Sequence, residues 1–205
     1  MKLIYRISGV MILFLVCATA LQAQERMQMK IGYNFSVPAG ASFKDAVSKP
    51  SFRGLTGEIT YPVNERIRVG LGISYNDYYQ KYPRAVYNSG EGQISAVLTN
   101  SIQTTPILAK ANYDLGKKGA LQPYVGLGAG INWVMYSQYL GEFPDSKSAI
   151  KPAISGSAGV NVPFGQSRLA GFNLGASFNY LPFNYNNIKN LNNWGVHAGF
   201  YFPLR

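Results

Sequence analysis

From Met27 onward, apolar and polar residues take turns along this chain in eight separate runs, at 27–35, 55–61, 67–75, 107–113, 125–133, 154–164, 172–180 and 194–204. Strict alternation predicts strands with two unlike faces, because successive side chains point to opposite sides of the pleat. The third run is the cleanest: Ile67, Val69, Leu71, Ile73 and Tyr75 alternate with Arg68, Gly70, Gly72, Ser74 and Asn76. The fifth sets Val125, Leu127, Ala129, Ile131 and Trp133 against Tyr124, Gly126, Gly128, Gly130 and Asn132.

The character of the polar face says which side is the interior. A soluble sandwich or barrel packs its bulky apolar face inward. Here the opposite face is rich in Gly, Ser and Asn, as a narrow polar lumen requires, so the apolar face points to lipid. Past residue 24 no apolar stretch approaches the length of a spanning helix, and a sheet crosses a bilayer only when closed. The expectation is an all-β fold, an eight-stranded antiparallel transmembrane β-barrel, whose interior is just wide enough for side chains to fill. Short connections (62–65, 115–120, 165–167) alternate with longer ones (36–51, 77–93, 137–148, 181–190). Long loops on the outside and short turns on the inside put both termini in the periplasm. The aromatics agree: Tyr33, Tyr75, Trp133, Tyr180 and Trp194 fall at the long-loop ends of their runs, and Tyr61, Tyr113, Phe164 and Phe202 at the other ends. Rings at both water boundaries form the two girdles of such a barrel.

The first residues change the picture at one end only. Lys2 and Arg6 precede an apolar run from Val10 to Leu21, and small residues follow. This is the anatomy of a cleaved signal peptide. Cleavage fits after Ala20 or Ala23, and the second is preferred, which gives residues 1–23 as signal peptide and 24–205 as the outer-membrane barrel domain. The one cysteine, Cys17, leaves with the signal, so neither disulfides nor thiolate metal sites are expected. Seventeen Lys and Arg then face nine Asp and Glu, a net charge of +8. For a secreted chain, anionic lipid phosphates and lipopolysaccharide are the expected partners of that charge rather than nucleic acid.

Three stretches carry a family resemblance. The fifth run, Gln122-Pro123-Tyr124-Val125-Gly126-Leu127-Gly128-Ala129-Gly130, resembles a hallmark of small outer-membrane β-barrel proteins of the OmpA/OmpX type. The start, Met29-Lys30-Ile31-Gly32-Tyr33-Asn34-Phe35-Ser36, is similar to the first strand of the porin-like or PorT-like proteins common in Bacteroidota, and Gly195-Val196-His197-Ala198-Gly199-Phe200-Tyr201-Phe202 resembles their last strand. The resemblance implies the barrel fold and an outer-membrane location; members range from structural barrels to adhesins and secretion accessories.

Catalytic chemistry finds little purchase. An enzyme on this scaffold needs a base beside a nucleophile, and the base is usually His. The single His197 sits mid-strand on the inward face, with Gly199 rather than a hydroxyl two residues on. Gly126, Gly128 and Gly130 alternate within a strand and lack the following helix that a phosphate loop uses. One His and scattered carboxylates offer no metal cluster. The chain therefore reads as non-enzymatic, without cofactor or metal. Function is expected in the long loops. Tyr78, Tyr79, Tyr82, Tyr87, Lys81 and Arg84 in the second, and Phe183 and Tyr185 in the fourth, suit contact with surface glycans or proteins, or else belong to strand extensions above the membrane. The alternative is a narrow pore or an accessory barrel of a transport or secretion machine. One inward cluster stands out. Lys30, Glu58 and Arg68 lie on three successive strands, and counting from the turn at 62–65 puts Glu58 and Arg68 at nearly the same depth. One carboxylate between two cations would plug the periplasmic third of the lumen, since charges in a narrow interior persist only when paired or hydrated.

Overall fold

A computed structural model describes residues 27–89, 92–116, 121–164 and 169–204. The expected signal peptide and its expected cleavage site, the Lys117-Lys118 turn and the turn at 165–167 lie outside the described residues. The strands in chain order are β1 (Gln28–Pro38), β2 (Leu55–Pro62), β3 (Ile67–Lys81), β4 (Ala85–Ser89), β5 (Gly92–Ala96), β6 (Leu98–Asp114), β7 (Gln122–Leu140), β8 (Phe143–Pro163), β9 (Gly171–Tyr180), β10 (Pro182–Tyr185), β11 (Ile188–Asn190) and β12 (Asn193–Pro203). A short helix, α1 (Ala41–Ala46), follows β1.

Eight of these strands form one closed antiparallel barrel in the order β1-β12-β9-β8-β7-β6-β3-β2. β1 seals it, pairing with β2 on one side (Lys30 opposite Glu58) and with β12 on the other (Gln28 opposite Pro203). Closure gives each barrel strand a hydrogen-bonded neighbour on both sides, which is the condition for crossing a bilayer with strands. The apolar faces turn outward: Leu71 is 65% and Leu127 72% exposed, and Ile31, Ile73, Val125, Ile131 and Val196 are exposed beside them. Inward, Asn34, Thr60, Asn112, Asn132, Asn161 and Asn173 are buried. Water would drive these two sets the other way round, so the arrangement requires lipid outside.

The girdles take their places at the two rims of the apolar band. Trp133, Tyr180 and Trp194 are exposed at the loop end, and Tyr113, Phe164 and Phe202 at the end that carries Met27 and Leu204. Trp194 and Phe202, eight residues apart on β12, span about 27 Å of strand and about 20 Å along the membrane normal at the usual tilt. With their rings added, that matches an apolar band roughly 25 Å tall.

Above the loop-end girdle the structure departs from the expected long loops. The segment at 137–148 is not a loop. β7 and β8 run on to a two-residue turn at Gly141-Glu142, where Gly141 takes the positive φ that such a turn needs. The segment at 77–93 is likewise mostly strand: β3 and β6 pair again from Asn76 opposite Thr104 up to Lys81 opposite Thr99, and the β4–β5 hairpin rises beyond them. The alternation conceals this because its sense inverts at the girdle. Below it, apolar side chains face lipid. Above it, the outer face meets water, and the apolar residues Tyr78, Ile102, Val134 and Tyr136 turn inward and are buried.

Candidate functional site

What those inward rings pack against closes the barrel mouth. α1 brings Phe43 and Val47, and the β10–β11 hairpin with its flanks brings Leu181, Phe183, Ile188 and Leu191. All six are essentially buried. Together with Tyr78, Ile102, Val134 and Tyr136 they form the one large apolar cluster among the described residues. The ring of Phe43 meets Tyr78 edge-on at 4.9 Å, and Tyr136 meets Tyr185 at 5.4 Å. The stopper is stitched down by polar contacts. Tyr82 Oη donates to the carbonyls of Asp45 and Ala46 at 3.1 Å, and Asn100 Nδ2 donates to Ala46 at 2.8 Å. The hairpin turns on Asn186 and Asn187, both at positive φ, as a two-residue turn between right-twisted strands requires. Asn186 Nδ2 then donates to Tyr136 Oη at 2.9 Å.

Below the stopper the lumen is polar. Glu58 on β2 accepts from Lys110 Nζ and Asn112 Nδ2, both on β6, at 2.7 Å each, and Lys30 Nζ on β1 lies 3.5 Å away. Lys30 Nζ also stands 4.3 Å over the ring of Tyr124 on β7. Tyr124 Oη is 3.3 Å from His197 Nε2 on β12, and it accepts from Asn173 Nδ2 on β9 at 3.1 Å. Six strands thus meet across the lumen through side chains alone. Glycines make room for the large members. A Cβ at Gly126 would sit 2.2 Å from Asn112 Oδ1, and one at Gly175 would sit 2.6 Å from His197 Nε2. A cavity of about 40 Å³ remains, lined by Lys30, Glu58, Lys110, Tyr124, Ser155 and His197 among others. That is room for about three water molecules among polar groups.

The three residues singled out from sequence are all inward and buried, but they do not form one cluster. Lys30 and Glu58 are brought together. Arg68 is not. The turn after β2 is centred further along the chain than the count assumed: Pro62 pairs with Arg68, so Glu58 pairs with Gly72. Four residues of strand, about 13 Å, separate Arg68 from that level. Arg68 instead pairs with Asp114 and donates to Gln28 Oε1 at 2.7 Å, forming a second layer at the end opposite the loops. Lys110, Asn112, Asp114 and Tyr124 were missed as members. Their signal was in the sequence, since Lys110 and Asn112 interrupt the lipid-facing Ala109, Ala111 and Tyr113 at the inward parity. Of the loop aromatics, Tyr78 and Phe183 are buried in the stopper and unavailable for surface contact, while Tyr79 stays exposed.

The chain matches the family described as "Outer membrane protein beta-barrel domain" over residues 8–202. No curated protein matches it. Among solved structures it is similar to neisserial surface protein A (TM-score 0.54, 17% identity, covering 86% of this chain and 95% of that one). It is also similar to the outer membrane protein OprG of Pseudomonas aeruginosa (TM-score 0.51, 14% identity, covering 88% and 96%). At such identities the likeness is one of fold.

Proposed function

The chain belongs to the outer membrane protein β-barrel domain family, and on that premise we propose that it is a non-conducting barrel that works through its loop-end surface rather than through its lumen. The observation that carries this is the double closure, an apolar stopper in the mouth above a charged network across the middle. Water and ions meet first a packed apolar layer and then a lumen already filled by its own side chains. The reading also takes residues 1–23 as a cleaved signal peptide, the long-loop end as external and both termini as periplasmic. Lipopolysaccharide suits the outer rim: Arg53 is exposed, steadied by Asp77 at 3.3 Å, and flanks Phe52, whose carbonyl accepts from the girdle residue Tyr33 at 2.6 Å. A guanidinium at that height meets lipid phosphate. No enzymatic role is proposed, because His197 is committed to Tyr124 and packed over Gly175 inside the barrel.

Planar-bilayer recording tests the closure. The purified protein should show no steady conductance, and a variant with Phe43→Ala and Leu191→Ala should flicker open only if the polar layer is also disturbed, as by adding Glu58→Gln. Steady current through the unaltered protein would remove the proposal and favour the pore reading. Orientation is read separately, by an impermeant maleimide on intact cells. Cysteine at Lys147 should label, and cysteine at Lys117 should not.

A further inference from the structure

The barrel is closed within the membrane, yet one of its strands leaves the membrane with a neighbour on one side only. β8 pairs with β7 continuously from Phe143 to Asn161, whereas its ladder to β9 begins at Ile154. Residues 143–153 therefore form a sheet edge that rises from the loop-end girdle, where Ile150 stands opposite Trp133. Neither ladder of β8 contains a register shift. At its far end, Phe164 N–H donates to Ala170 on the β9 side at 2.7 Å. Counting back in twos, Pro144, Ser146, Ser148, Ile150 and Pro152 turn their backbone groups toward that same side, where no ladder continues above Ile154, although β10 approaches β8 from the mouth and Tyr185 reaches Asp145. Among the described residues no hydrogen bond reaches those backbone groups.

We infer that this edge is a docking strip for an extended, acidic segment of another protein, which adds to β8 as one more strand. An unpaired edge is a template for β-addition, with main-chain bonds supplying affinity and flanking side chains supplying choice. Prolines on an edge ordinarily protect it from stray pairing. Here they stand at the two ends and leave the N–H groups of Ser146, Ser148 and Ile150 free between them, so they limit the length of the guest rather than forbid it. The chemistry of the guest follows from the two faces. On the inward face Lys147 and Lys151 lie four residues apart; Lys147 stands 5.9 Å over the ring of Tyr185, and neither lysine takes part in an ion pair among the described residues. Asp145, between them and the tip, is already engaged by Tyr185 Oη at 2.7 Å. On the outward face Ile150 is 66% and Tyr139 47% exposed. The guest should therefore carry two carboxylates four residues apart on one face and β-branched residues on the other.

The inference rests on the reading that the loop end faces outward only for its biological setting; the docking itself is testable in micelles, whichever way the barrel sits in a cell. The probe is a labelled, end-capped heptapeptide of sequence Thr-Glu-Val-Thr-Thr-Glu-Thr, titrated with the full-length refolded protein by fluorescence anisotropy. Saturable binding is expected. Ser148→Pro removes the central edge-facing N–H without touching the ladder to β7, and should weaken binding at least about tenfold while the protein keeps its heat-modifiable gel mobility. Lys147→Glu with Lys151→Glu should reverse the preference toward a Lys-substituted peptide. No binding by the unaltered protein overturns the inference, as does undiminished binding of a peptide N-methylated at its edge-facing amides. Self-association that excludes the peptide and is lost in Ser148→Pro would assign the edge to a second copy and overturn the choice of guest.

Discussion

Replacing Glu58 by Gln tests whether the lumen network is held by charge or merely filled. The substitution keeps the shape and removes the only carboxylate that pairs with Lys30 and Lys110 among the described residues. At separations of 3.5 and 2.7 Å the gross attraction of each pair is about 5–6 kcal/mol at an effective dielectric of 20. Desolvation of the buried ions offsets much of it, and the measurable loss on breaking such a pair is about 3–5 kcal/mol. Water in the adjoining cavity lowers that figure, so a loss of roughly 2–4 kcal/mol is expected. Urea unfolding in lipid vesicles, followed by the fluorescence of Trp133 and Trp194, reports it. The decisive comparison is a pair of double-mutant cycles. Glu58→Gln should couple to Lys110→Met by about 1–3 kcal/mol, because the two side chains touch. It should add almost independently to Arg68→Met, whose partners are Asp114 and Gln28. Additivity with Lys110, or strong coupling to Arg68, would refute the two-layer account.

Other variants probe the faces. Leu127→Arg, mid-strand and fully lipid-facing, should cost roughly 2–4 kcal/mol, whereas Val86→Arg on the β4–β5 hairpin should be nearly neutral in the same unfolding assay. Gly175→Val forces a side chain into the His197 ring and should destabilise by about 1–3 kcal/mol; His197→Ala in the same chain should restore part of the loss. Phe43→Ala should cost about 3–5 kcal/mol of local stability. Protease sensitivity near α1 should rise with it, leaving the transmembrane fragment intact.

Strand number, closure and facing were legible because one solvent, lipid, acts on every outward position between the girdles and leaves the same signature eight times. Where that solvent ends, legibility ends too. Tyr78, Val134 and Tyr136 are apolar at the inward parity, so a search for outward apolar residues stops at Tyr75 and Trp133 and takes the remaining strand for loop. The charged layer was half legible. Parity placed Lys30, Glu58 and Arg68 in the lumen, but depth depends on turn geometry, and pairing Pro62 with Arg68 moved Arg68 out of reach of Glu58. The stopper left no local signal, because Phe43, Leu181, Phe183 and Leu191 come from distant loops whose meeting is a tertiary fact.

The seam between β1 and β12 also has a consequence for assembly. It joins the first described strand to the last, and Leu204 N–H donating to Met27 at 2.9 Å extends it past the ladder. Every other barrel ladder joins strands that follow one another around the barrel in chain order, while this one must wait for the whole polypeptide. Until it forms, two raw edges hang in hydrocarbon, where each unmet amide costs several kcal/mol. Folding and insertion are therefore a single event, with no half-built barrel stable in the bilayer. Loss of β12 should abolish accumulation in the membrane altogether instead of yielding a smaller, weaker barrel.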